Sequence, residues 1–106
     1  MKCVILESPY AGDVERNVAY AKRAILDSLV RGEAPIASHL LFTQPGILDD
    51  KDSTQRELGI NAGHAWLSKA DKIVVYEDYG ISAGMTASIL LASRMGVQAE
   101  YRKIGK

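Results

Sequence analysis

The chain has 106 residues, with 13 Lys and Arg balanced by 13 Asp and Glu, and a single cysteine. That length suits one domain with a modest core, and the cancelled charge supplies no field to draw in DNA, RNA or an anionic membrane surface. Cys3 has no internal disulfide partner, which fits a reducing compartment and makes the cytoplasm the expected location.

The elements follow from pattern in chain order. Lys2 to Glu7 is a short apolar run and predicts a strand covered on both faces, entered directly and without a leader-like segment. Ser8-Pro9-Tyr10-Ala11-Gly12 breaks it. Asp13 is placed to cap a helix that carries Val14, Val18, Ala21, Ile25 and Leu29 on one face, and Gly32 stands where that helix should stop. Ala34 to Ala37 predicts a second strand, with Pro35 at its start or on an edge, Ser38-His39 at its end and Leu40-Leu41-Phe42 as a connection. Thr43 to Ser53, with Pro45-Gly46 and the cluster Asp49-Asp50-Lys51-Asp52, reads as an exposed loop. Asp52 and Gln55 have the capping-box spacing for a helix to about Lys69. Gly59 and Gly63 within it each cost about 1 kcal/mol against Ala, so close packing or close ligand approach is expected there. Lys72 to Tyr76 predicts a third strand, Gly84 to Met95 a helix ended by Gly96, and Val97 to Arg102 the last strand. No run is apolar and long enough to span a bilayer, and a soluble chain is expected.

Strands alternating with helices imply right-handed crossovers and a three-layer α/β fold, a parallel sheet with helices on its faces. Ligands of such sheets bind beyond the carboxyl ends of the strands, so Ser8 to Gly12, Ser38-His39 and Glu77 to Gly84 are expected to converge. The stretch Asp78-Tyr79-Gly80-Ile81-Ser82-Ala83-Gly84-Met85 draws most attention. It joins a strand to a helix N-terminus, where amide N–H groups and the helix dipole hold phosphate or sugar oxygens.

The residues at these turns form a nucleotide-like inventory. Ser8, Asp78, Ser82 and the backbone around Gly80 and Gly84 can bind ribose hydroxyls or phosphate, and Tyr10 can stack on a base; the alternative is that Ser8-Pro9 and Gly80 only make turns and Asp78 only caps one. His39 reads either as a ligand contact or acid/base group or as a strand-end His satisfied by a carbonyl. His64, near Trp66, reads as structural or interfacial. One Cys and two separated His make no metal site, and no cofactor is called for. Gly80-Ile81-Ser82-Ala83-Gly84 has the letters of a nucleophile elbow, but the chain order of Ser, acid and His fails, leaving an anion or ribose turn as the simpler reading.

Several of these segments together resemble the nucleoside 2-deoxyribosyltransferase-like superfamily, and more closely its short stand-alone domains of bacteria and phages. They are Glu7-Ser8-Pro9-Tyr10 with Gly12-Asp13 and Asn17, Pro35-Ile36-Ala37-Ser38-His39-Leu40-Leu41, Ala70-Asp71-Lys72-Ile73-Val74-Val75, and Gly80-Ile81-Ser82-Ala83-Gly84-Met85. The resemblance implies a flavodoxin-like or Rossmann-like sheet that binds nucleosides or nucleotides at its strand ends, with Tyr10 and Asp78 matching binding positions. Active members cleave or exchange an N-glycosidic bond with a Glu one turn into the helix after the glycine loop. Ser88 stands at that position here, and a hydroxyl without a paired base is a far weaker nucleophile than a carboxylate. The predicted ligand-binding set is Ser8, Tyr10, His39, Asp78, Gly80, Ser82, Gly84, Met85 and Ser88, with no catalytic residue assigned.

The resemblance thus implies a protein that holds a nucleotide or nucleoside-derived small molecule without efficient turnover, in a phage setting a sponge for a nucleotide immune signal. The alternative is an N-glycoside hydrolase or deoxyribosyltransferase whose carboxylate comes from Glu7, Glu77 or Asp78, or from Glu57 of a neighbouring copy. A third reading is a structural or protein-binding oligomer with His64, Trp66 and Tyr101 in subunit contacts. Under all three a homo-oligomer, at least a dimer, is expected.

Overall fold

A computed structural model describes residues 1–105. Four strands, β1 (Cys3–Glu7), β2 (Ala34–Ile36), β3 (Lys72–Tyr76) and β4 (Ala99–Arg102), form one parallel sheet in the order β2-β1-β3-β4. The helices are α1 (Val14–Val30), α2 (Ser38–Leu41), α3 (Ser53–Leu67) and α4 (Ala83–Arg94). The three-layer α/β architecture expected from the alternating pattern is present.

The core lies on both faces of the sheet. Val4, Leu6, Val74 and Tyr76 point to one face and pack with Tyr20 and Ala24 of α1; Ile5, Ile73 and Val75 point to the other and pack with Leu67 of α3 and Met85 and Ala92 of α4. The period of two along each strand therefore sorts the apolar run between two layers. Asp13 caps α1 by accepting from the Arg16 amide at 3.1 Å, and Asp52 caps α3 by accepting from the amides of Thr54 and Gln55. Gly59 and Gly63 are close-packed as expected: a Cβ on Gly63 would lie 2.6 Å from Ser38 Oγ, and one on Gly59 3.1 Å from Leu48 Cδ1.

The second strand is the main departure. It ends at Ile36, and Ser38-His39-Leu40-Leu41, expected as a strand end and a connection, form the short helix α2. Pro35 gives no N–H to a ladder, which limits this edge strand, and the amides of Leu40 and Leu41 turn back to the Ala37 carbonyl. That turn lets Leu40 pack against the α1-side core.

Because β1 leads through α1 to β2 on one side, and β2 leads back through α2 and α3 to β3 on the other side of β1, the direction of winding reverses between β1 and β3. A crevice opens at the carboxyl ends of these two strands. No helix among the described residues is long and apolar enough to cross a membrane.

Candidate functional site

The crevice is a cavity of about 320 Å³. Its floor is the end of β1, with Glu7, Ser8 and Tyr10; α2 contributes Ser38 and His39, and α3 contributes Gln55, Arg56, Gly59, Ile60, Gly63 and His64. The start of α4 closes the remaining side with Ser82, Ala83, Gly84, Met85, Ala87 and Ser88. The β1–α1 loop is fixed from below by buried Asn17, whose Nδ2 donates to the carbonyls of Tyr10 and Ala11 at 2.9 and 3.0 Å. Gly80, at φ +84°, turns the chain from β3 toward Ser82. The Ser82 hydroxyl then accepts from the Met85 amide at 3.3 Å and starts α4.

Seven of the nine predicted ligand-binding residues line this cavity: Ser8, Tyr10, His39, Ser82, Gly84, Met85 and Ser88. Asp78 and Gly80 stand outside its walls. The Asp78 carboxylate accepts the Tyr20 hydroxyl proton and the amides of Ile104 and Gly105 at 3.1 and 2.7 Å, so it ties the end of β3 to α1 and to the segment after β4. Burial pushes its acidity one way, but these donors outweigh it and hold the carboxyl below its ordinary range.

Two serine–histidine contacts occupy the cavity walls. Buried Ser8 has its Oγ 2.6 Å from His39 Nε2, while His39 Nδ1 is buried with no partner. Desolvation lowers the His39 pKa to about 4, so its ring is neutral at neutral pH. The tautomer that puts the proton on Nε2 leaves only a lone pair unpartnered at Nδ1. It also makes His39 the donor to Ser8, whose own O–H is then free to donate. On the other side, buried Ser88 lies with its Oγ 3.3 Å from His64 Nε2.

Glu7 is the residue that the predicted set lacked. It is only partly exposed, it lines the cavity together with Ser88, and no Lys or Arg among the described residues forms an ion pair with it. Desolvation raises its pKa to about 8, with the neighbouring Ser88 hydroxyl acting the other way. At neutral pH it is therefore mostly a carboxylic acid, able to donate a proton. Among the described residues the only Lys or Arg on the cavity wall is Arg56, which is exposed at the rim and only 3.9 Å from Asp50. The sequence signal for α3 was its glycine spacing: Arg56, Gly59, Ile60 and Gly63 share the face that lines the cavity. Among the described residues, no group of three or more His, Cys, Asp or Glu could hold a metal ion.

Comparison with known proteins agrees with the fold. Residues 2–102 match the family model described as "Domain of unknown function (DUF7768)". The chain belongs to that family. No curated protein matches the sequence. Among solved structures, the fold is similar to a 2-deoxyribosyltransferase from Bacillus psychrosaccharolyticus, with TM-score 0.64, 13% identity, and coverage of 95% of this chain and 72% of that one. It is also similar to a 2-deoxyribosyltransferase from Leishmania mexicana, with TM-score 0.64, 13% identity, and coverage of 99% and 66%. A third is the CMP N-glycosidase BcmB of Clostridium botulinum, with TM-score 0.57, 17% identity, and coverage of 96% and 69%. At these identities the likeness is one of fold, and this DUF7768 chain spans about two thirds of the length of its larger neighbours.

Proposed function

We propose that the cavity binds a nucleoside-derived small molecule. The observation that carries this reading is the convergence of the β1–α1 loop, helix α2 and the start of α4 on one concave site, with polar groups of the kind that hold base and sugar and with Tyr10 at its edge. Among the fold neighbours, the bacillus enzyme is described as a biocatalyst for nucleoside synthesis and the clostridial one as a CMP N-glycosidase, which supports the same ligand class. Mass spectrometry of small molecules released from purified protein tests it, before and after incubation with nucleosides, nucleoside monophosphates, cyclic nucleotides and ADP-ribose derivatives. A compound retained and released intact supports a sequestering protein, including the sponge role expected in a phage setting. No member of the panel retained or consumed would reject the binding reading.

A second reading, cleavage of the N-glycosidic bond, is favoured by one observation: Glu7 brings a carboxyl to the cavity beside Ser88, the position where the resemblance leads one to expect an acid. Free base recovered in place of intact nucleoside would move this reading to the front. Self-association belongs to the proposal as well. Leu58, Trp66 and Leu90 are exposed large side chains on α3 and α4, and light scattering of the purified protein measures the stoichiometry.

A further inference from the structure

Among the buried polar groups of the cavity, the Ser8–His39 contact is the one that the fold leaves incomplete. Ser8 is 3% exposed at the end of β1, and Pro9 after it favours an extended backbone there. His39 is held on α2 from three sides: Leu40 packs into the α1-side core, the Thr43 hydroxyl donates to the His39 carbonyl at 2.6 Å, and Ser38 fills the space that a Cβ on Gly63 of α3 would take.

Ser8 Oγ and His39 Nε2 are 2.6 Å apart, and Nδ1 on the other side of the ring is buried with no partner. A proton on Nδ1, in the other neutral tautomer or in the imidazolium, would be a buried donor without an acceptor, which is costly. The proton therefore sits on Nε2 and is donated to Ser8. The Ser8 hydroxyl cannot give its own proton back to that nitrogen, and among the described residues no other hydrogen bond takes it up.

We infer that Ser8, with His39 behind it, is a one-way donor that reads a carbonyl oxygen on the nucleobase, so that the cavity takes nucleosides of oxo bases in preference to their amino counterparts. This rests on the binding reading above and names the base end of its ligand. The surroundings select the acceptor. A phosphate oxygen carries charge that neither Ser8 nor neutral His39 can balance; Arg56, the one cation on the cavity wall among the described residues, is at the rim beside Asp50, and Glu7 precedes Ser8 in the chain. A sugar brings several hydroxyls that each need partners, whereas the cavity walls include Phe42, Leu48, Ile60 and Met85, apolar surroundings suited to a planar base. Of the acceptors on a base, the exocyclic oxygen projects furthest from the ring and so reaches a hydroxyl recessed at a strand end. An exocyclic amino group in the same place could donate to the remaining Ser8 lone pair, but the Ser8 proton would then stay buried without an acceptor. A site built around such a hydrogen bond discriminates between ligands that keep it and ligands that lack it.

The hydrogen on His39 and the choice of base are measured independently. In nitrogen-15 NMR of ligand-free, histidine-labelled protein, His39 should carry its proton on Nε2 and none on Nδ1. Calorimetric titration of inosine against adenosine, and of uridine against cytidine, should show the oxo member of at least one pair binding about tenfold or more tightly than the amino member. Ser8→Ala should bring that ratio to within about threefold of unity. His39 is a positioning residue in this scheme: His39→Leu, which removes the donor behind Ser8, should lower the ratio too, and His39→Gln, which keeps an N–H, should restore most of it. A merely structural role would weaken both members of a pair alike. Thermal unfolding of each variant separates misfolding from recognition. A proton on Nδ1, equal binding within both pairs, or a ratio that survives Ser8→Ala would overturn the inference. Retention of phosphorylated compounds alone would overturn it while leaving the binding reading standing, and retention of nothing would reject both.

Discussion

Two glutamates separate the working end of this molecule from its framework. Glu33, between α1 and β2, is buried and fully paired: Arg102 donates to both its oxygens at 2.8 and 2.6 Å, Ser28 donates at 2.8 Å, and Lys72 Nζ lies at 3.2 Å. Arg102 also donates to the Tyr76 hydroxyl, which donates in turn to Asp27. The Arg102 guanidinium holds the Glu33 carboxyl down to about 2, whereas desolvation without a cation pushes Glu7 up to about 8. The same side chain is thus a fixed anion in one place and an acid in the other. The difference lies in whether the strands bring a cation with it, and a desolvated carboxyl without one in a cavity is the stronger pointer to function.

The largest expected effect comes from breaking the paired end. Glu33→Ala takes from buried Arg102 the anion that pairs with both its terminal nitrogens, leaving it only the partly exposed Glu100, and should cost about 3 kcal/mol in urea unfolding. Glu7→Gln, by contrast, should leave stability near neutral pH unchanged or improved. The comparison sharpens with pH. The folded state holds the Glu7 proton more tightly than the unfolded chain, so its contribution is full below about 4.5 and is lost as pH rises to about 8. Glu33 runs the opposite way, its contribution being lost as pH falls from about 4.5 toward 2. Unfolding curves of wild type and Glu7→Gln should therefore diverge above pH 5, with the variant lacking the alkaline decline. A smaller change is expected from Asn17→Ala, which frees the carbonyls of Tyr10 and Ala11. It should cost about 1–3 kcal/mol and weaken ligand retention, as read by unfolding and by released-ligand mass spectrometry. The smallest belongs to Gly63→Ala, where better helix propensity of about 1 kcal/mol is offset by the crowding of Ser38, so the melting temperature should move by only a few degrees.

The layers of the fold were readable because periodicity and capping agreed. Asp13 and Asp52 mark real helix starts, and the apolar runs at Val4–Leu6 and Ile73–Tyr76 are the central strands. Helix α2 was not readable, since Ser38-His39-Leu40-Leu41 has too little length for a period and is folded by its contact with the core and α3. Much of the cavity was legible from topology alone, which says where strand ends meet. Asp78 was harder, because its engagement depends on Tyr20, far away in sequence, and on the backbone of Ile104 and Gly105. Glu7 was weighed only as one of several stand-in carboxylates. Its last-in-strand position gave no sign that Ser88 would lie beside it while its cationic neighbours lay elsewhere.

The order of strands also governs how the chain is made. β1 pairs with β2 from Cys3 to Ala34, but its other neighbour begins at Lys72. During synthesis at roughly 5–20 residues per second, β1 and β2 can meet several seconds before β3 and α4 have emerged. Over that interval one edge of β1 is open and Glu7 is hydrated and charged. The acid of the cavity is made only when the second half of the chain arrives to take its water away, so a nascent chain stalled before β3 would present the residue but not its chemistry.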